Sequence, residues 1–93
     1  MKRPNHERRR RQLRWKAVRE LIKASLTEES YDCTYCKLPI LKERITLDHI
    51  VPRSRGGKSY SYSNLALCCY ACNQLKRDML VEEFLLIREE RAS

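Results

Sequence analysis

Cys33-Thr34-Tyr35-Cys36 and Cys69-Tyr70-Ala71-Cys72 are two copies of a Cys-x2-Cys knuckle, and residues 37–68 must be folded between them. Each knuckle can place two thiolates on one side of a tight turn. Two such turns close a tetrahedral four-sulfur site that suits zinc. The intervening segment is longer than a simple zinc ribbon needs, so something else is built inside it. Cys68 leaves one alternative open, since it could replace Cys69 in a Cys-x3-Cys arrangement. Cys69 makes the two knuckles match and is preferred. Buried free thiols are the bland alternative for the whole set.

Working outward, Ile40-Leu41 to Ile45-Thr46-Leu47 is β-branched and apolar, and reads as one short strand ending near Asp48-His49. Pro52 cannot donate to a sheet ladder and marks its end. Arg53-Ser54-Arg55-Gly56-Gly57-Lys58 is a loop, extended by the polar residues Ser59 to Ser63. Leu65-Ala66-Leu67 forms the returning strand. The second knuckle opens a helix through Lys76. A last helix begins at Val81, with Glu82 and Glu83 in its first turn, and Phe84, Leu85 and Ile87 are expected to complete the core. Upstream, Trp15, Val18, Leu21, Ile22 and Leu26 recur at offsets of three and four, which predicts a helix over Gln12 to Leu26. Trp15 reads as a core anchor in preference to a base-stacking residue. Residues 1–10 lack apolar periodicity and are expected to fray. Thr27 to Ser30 reads as a polar link.

Ninety-three residues make one domain. At this size only roughly 60–65% of the unfolded chain's surface is buried, so a staple is expected. No apolar run resembles a signal peptide or could span a bilayer. The chain therefore reads as cytoplasmic, where reduced thiols favour a metal over disulfides. The net charge is +8, and its distribution is the informative part. Residues 1–24 hold ten Lys/Arg (Arg8, Arg9, Arg10, Arg11 and Arg14 among them) against Glu7 and Glu20, whereas residues 25–93 are balanced. This polarised charge is the footprint of a polyanion partner, most simply nucleic acid, although a solubilising or targeting arm would also be basic. The natural division is a basic arm and helix over residues 1–30, followed by the domain proper over 31–93.

Taken together, Cys33-x2-Cys36, Asp48-His49-Ile50-Val51-Pro52, Gly56-Gly57, Asn64-Leu65 and Cys69-x2-Cys72-Asn73-x2-Lys76 resemble the HNH endonuclease family in order and spacing. The resemblance runs over roughly residues 31–87. Asn73 stands where many members carry His, an HNN-type variant. The implied fold is α+β: a small zinc-stapled ββα-metal (His-Me finger) domain, with the basic N-terminal helix and the C-terminal helix added. His49 matches the family's general base, a role suited to imidazole. Asp48 and Asn73 match the ligands of a catalytic divalent ion. An extended backbone would send Asp48 to the face opposite His49, so the strand end is expected to bend. Asn64 matches the middle Asn and is expected to hold the loop that positions His49. A surface acid beside a half-buried histidine is what an isolated Asp-His pair would usually be.

With oxygen ligands only, the second metal is expected to be Mg2+ or Mn2+, distinct from the zinc on Cys33, Cys36, Cys69 and Cys72. The implied activity is hydrolysis of DNA phosphodiester bonds, by nicking or double-strand cutting, leaving 5′-phosphate and 3′-hydroxyl ends. Arg53, Arg55, Lys58 and Lys76 join the N-terminal arginines as candidate contacts to double-stranded DNA. For Lys76, finishing a helix turn is the equal alternative. Nothing reads as a code for base edges, so low sequence specificity is expected. Small nucleases of this type resemble those of phages and bacteria, which points to a packaging or restriction partner protein. The rival reading is a noncatalytic zinc-ribbon module that binds nucleic acid or protein. It needs the cysteines and the basic arm but not Asp48, His49 or Asn73. An RNA-directed nuclease is a third reading.

Overall fold

The computed structural model describes residues 6–92, without the side chains of residues 91 and 92. Lys2 and Arg3 of the basic arm lie outside the described residues. Three α-helices and two two-stranded antiparallel sheets are present among those described: α1 (His6–Ser25), β1 (Ser30–Asp32), β2 (Pro39–Leu41), β3 (Thr46–His49), β4 (Leu65–Cys68), α2 (Tyr70–Lys76) and α3 (Val81–Ala92).

β1 and β2 flank the first knuckle. Their register pairs Tyr31 with Ile40, and Cys33 N–H donates to Leu38 O at 2.8 Å to close the turn. The sequence reading differs here. It joins residues 40–47 into one strand and leaves Ser30 in a link. In the structure a 3-10 turn at Lys42–Arg44 breaks that run. Ile40 belongs to the first sheet and Leu47 to the second. Both sides of the turn are apolar and β-branched, so composition alone does not show the break.

The second sheet pairs Asp48 with Ala66 and His49 with Leu65. α2 packs on β3, giving the strand–strand–helix unit. Thr34 ties the first knuckle to β4, its N–H and Oγ1 both donating to Leu67 O at 2.9 and 2.8 Å. The core is small: Cys33, Tyr35, Ile40, Ile45, Ala66, Cys68, Cys72 and Phe84. Tyr35 and Phe84 meet edge to face at 5.4 Å, a favoured aromatic geometry. Phe84 is the fully buried residue of α3 among those described, with Val81 packed half-buried against the core and Arg88 donating to the Tyr35 carbonyl at 2.6 Å. Leu85 and Ile87, expected in the core, are 43% and 37% exposed: Leu85, one position beyond Phe84, turns to another face of the helix, while Ile87 stays on the Phe84 face but borders an open cavity with Gln74, Leu75 and Met79. The Glu83 carboxylate accepts the Leu80 N–H at 2.8 Å and so caps α3.

α1 begins earlier than the apolar pattern indicates. Residues 6–10 are helical, as runs of Arg and Glu allow through high helix propensity. None of its residues is fully buried. Trp15 is half-buried and lies against His49 instead of in the core. No helix among the described residues is long and apolar enough to cross a membrane.

Candidate active site

The end of β3 and the first turns of α2 bring Asp48, His49 and Asn73 to one open cavity of about 360 Å³, with Arg53, Arg77 and Asp78 also on its walls. Asp48 lies on a strand whose paired face is the core, and it is only 5% exposed. Its carboxylate would be costly there without partners, and it has two. Tyr35 Oη donates to Oδ2 at 2.5 Å, and the Lys76 ammonium lies 2.9 Å from the same oxygen. Burial, then the hydrogen bond to Asp48, pushes the Tyr35 phenol up, so it remains an O–H donor. Oδ1 takes part in neither bond. Lys76 is fully buried, and its Nζ also donates to the His49 carbonyl at 3.0 Å. One lysine thus ties the carboxylate to the backbone of the neighbouring histidine. Lys76, grouped in the sequence reading with the DNA contacts, sits beneath the cavity and has no surface to offer a phosphate.

The His49 ring is fixed from two sides. Its Nε2 lies 2.9 Å from the Ser59 carbonyl. A carbonyl oxygen only accepts, so Nε2 is the donor to Ser59 and Nδ1 is the ring nitrogen left to act as a proton acceptor. The Trp15 ring lies against the imidazole, centroids 4.8 Å apart and planes 33° from parallel.

Asn64 braces the intervening loop. Its Oδ1 accepts Val51 N–H at 2.9 Å, and its Nδ2 donates to Val51 O and Lys58 O at 3.0 and 2.9 Å. Both glycines of the loop are obligatory for different reasons. Gly56 has φ +89°, which L side chains rarely adopt. At Gly57 a Cβ would sit 1.7 Å from the Val51 carbonyl oxygen, so only glycine lets the loop close on the segment after His49. Asn73 Nδ2 donates to Leu47 O at 3.2 Å, leaving its Oδ1 out of that bond. Asp48 and Asn73 therefore supply oxygen donors that fit a hard divalent ion such as Mg2+ or Mn2+.

Behind this site, the Sγ atoms of Cys33, Cys36, Cys69 and Cys72 all lie within 4.8 Å of one another. Four sulfurs about 2.3 Å from a tetrahedral zinc stand about 3.8 Å apart. Cys36 and Cys69 are already at 3.9 Å. Burial opposes the Cys33 thiolate, but N–H donors from Cys36, Cys69 and Tyr35 outweigh it and lower the thiol to about 6. Burial raises Cys36 and, more strongly, Cys72. The four thiols cannot all ionise in so small a volume without a cation. They could hold a metal such as zinc. Cys68 lies outside the cluster, against Thr46 Oγ1 at 3.4 Å, and burial pushes it up to about 11. Its place in the Cys-x3-Cys alternative is thereby removed, and Cys69 caps α2 with its sulfur accepting Cys72 N–H.

The remaining basic candidates divide. Arg53 borders the Asp48 cavity and also a neighbouring one formed with Arg8 and Arg11. Arg9 lines a more open groove on α1. Arg14 lies over the Tyr60 ring at 4.8 Å. Arg55 pairs with Glu83. Arg10 and Lys58 are exposed. Tyr35, Trp15, Ser59, Arg77 and Asp78 reach the site without being anticipated. Nothing in their spacing marks Tyr35 or Trp15. Arg77 and Asp78 follow Lys76 directly, and a helix ending beside Asn73 could have been read as bringing them near.

The model of the HNH endonuclease family matches residues 33–78. The chain is also similar to the CRISPR-associated endonuclease Cas9 of Corynebacterium diphtheriae, 38% identical over 52 residues. That match covers 56% of this chain and 5% of the Cas9 chain, so this chain spans only a small part of that relative's length. The four-cysteine cluster, the β3–β4 pair and the residues Asp48, His49 and Asn73 all fall within the matched stretch, and the chain therefore carries an HNH endonuclease domain over residues 33–78.

Proposed function

We propose that this chain is a metal-dependent endonuclease that hydrolyses phosphodiester bonds of DNA with low sequence specificity, leaving 5′-phosphate and 3′-hydroxyl ends. The observation that carries the reading is that Asp48, His49 and Asn73 line one cavity, with His49 Nε2 on the Ser59 carbonyl. In that tautomer Nδ1 takes the proton of the attacking water. Ser59 and Trp15 hold the ring, so little reorientation is needed during the step. Asp48 Oδ1 and Asn73 Oδ1 would hold Mg2+ or Mn2+. When bound, the ion supplies charge neutralisation at the phosphate and the departing 3′ oxygen. Tyr35 and Lys76 orient the Asp48 carboxylate from behind, and Asn64 keeps the loop shut so that the Ser59 carbonyl stays in reach of His49.

Zinc on Cys33, Cys36, Cys69 and Cys72 would fix the two knuckles, and with them β4 and the start of α2. Arg8, Arg9, Arg10, Arg11, Arg14 and Arg53 supply the polyanion attraction, with a smaller share from Lys58 and Arg55. Binding is accordingly salt-sensitive. Any packaging or restriction partner would supply the target specificity that this surface lacks.

Supercoiled plasmid incubated with Mg2+ or Mn2+ is expected to become nicked or linear, with ligatable ends. If zinc-loaded protein binds duplex DNA and leaves it intact with every divalent ion, the chain is a noncatalytic zinc module. RNA cut in preference to DNA would reassign the substrate.

A further inference from the structure

Two cavities meet at His49. The one bordered by Asp48 and Asn73 shares Trp15, His49 and Arg53 with a second, of about 430 Å³, whose far wall is Arg8, Arg11 and Gln12. Residues 8, 11, 12 and 15 recur at offsets of three and four, so they occupy one face of α1. That face is fastened to the site itself. Trp15 lies on the His49 ring, Tyr60 Oη donates to the Arg11 carbonyl at 3.4 Å, and the Arg14 guanidinium lies over the Tyr60 ring. Tyr60 directly follows Ser59, whose carbonyl holds His49. The wall and the histidine are thus anchored on one loop segment. A neighbouring groove of about 640 Å³ shares Arg8 and Gln12 and adds Arg9, Leu13, Lys16 and Arg19, but neither His49 nor Arg53 borders it.

We propose that this second cavity is a substrate subsite for the DNA phosphate adjacent to the one cut, with Arg11 and Arg53 as its principal ligands. The proposal rests on the nuclease reading and deepens it. A strand engaged at Asp48 and Asn73 passes His49 to enter the second cavity, because the two share that wall. Guanidinium is the side chain suited to holding phosphate by paired N–H donors. Two of them lining one cavity, one from α1 and one from the loop after His49, fix a phosphate where a single surface arginine only attracts it. The arginine run is therefore not uniform: Arg11 binds at a defined place, and its neighbour Arg10, which borders neither cavity, contributes general attraction.

Arg11→Gln and Arg10→Gln remove the same charge from adjacent exposed positions of one helix. Their affinities for a short random-sequence duplex, measured by anisotropy with zinc-loaded protein and no added Mg2+ or Mn2+, are expected to differ. Arg11→Gln should weaken binding about tenfold, the value of one charged hydrogen-bonding contact, and Arg10→Gln about twofold. Arg11→Lys should recover part of the loss, and Arg53→Gln should match Arg11→Gln. Trp15, the single tryptophan of the chain, borders the cavity, so its emission should shift as DNA saturates. Equal weakening by the two Gln variants, or Trp15 emission unmoved at saturation, would overturn the subsite while leaving plasmid cutting intact. Wild-type protein that neither binds nor cuts DNA would remove the nuclease reading and the subsite with it.

Discussion

Replacing Lys76 with Met keeps the chain volume roughly constant and removes only the ammonium. Lys76 is fully buried and its partner Asp48 is 5% exposed. The substitution deletes the 2.9 Å ion pair and the 3.0 Å bond to the His49 carbonyl, leaving a buried carboxylate with Tyr35 as its remaining donor. A solvent-exposed pair would contribute about 0–1 kcal/mol. Breaking a buried pair by removing one partner costs about 3–5 kcal/mol. For a domain of 60–100 residues each kcal/mol shifts Tm by about 4–8 °C, so a fall of at least about 12 °C is expected. Thermal unfolding followed by circular dichroism, in excess zinc, measures it. Asp48→Asn should also destabilise, and the Asp48→Asn/Lys76→Met double variant should lose less than the two singles summed, by about 1–3 kcal/mol. A Tm fall under about 4 °C for Lys76→Met, with additive singles, would refute the claim that this pair is a buried support for the site.

Four further outcomes follow from the same geometry. Cys69→Ser should lose the bound zinc and the fold with it, whereas Cys68→Ser should keep about one equivalent by mass spectrometry, because Cys68 is outside the cluster. The zinc contribution of roughly 10–16 kcal/mol matches or exceeds a domain's whole stability of about 5–15 kcal/mol, so a strong chelator should unfold the wild type, read as loss of helical circular dichroism. Gly57→Ala should depress plasmid cutting more than Gly56→Ala, since its Cβ meets the Val51 carbonyl oxygen, and initial rates of nicking compare them. Asn64→Ala removes three loop bonds and should lower the cutting rate by about 10–100-fold with the duplex affinity little changed.

The parts of this molecule that are local in sequence are legible in the sequence itself. The two knuckles, the β3–β4 pair, α2 and α3 each announce themselves through spacing or termination signals confined to a few residues. The run Ile40 to Leu47 did not reveal its division between two sheets, since a short 3-10 turn of charged residues resembles a polar face of one strand. The first turns of α1 carry no apolar period, so the sequence pattern does not show where this Arg-rich helix begins. At the site, the positions of Asp48, His49 and Asn73 follow from motif spacing, yet their supports do not. Tyr35, Lys76 and Trp15 reach Asp48 and His49 across 13, 28 and 34 residues of chain, and such contacts depend on the closed fold. The fate of Lys76 shows the difference most clearly: its motif position was plain, and only the packing reveals that it supports the carboxylate from beneath.

The central claim is that the His49 imidazole draws the proton from the attacking water. The most direct measurement is the single-turnover rate of supercoiled plasmid nicking in Mg2+ or Mn2+ by wild type and His49→Ala, each verified to retain zinc and to bind duplex DNA. The expected result is metal-dependent nicking by wild type and a fall of about 10²–10⁴-fold in the variant, with DNA affinity preserved. Equal rates for the two proteins would contradict it.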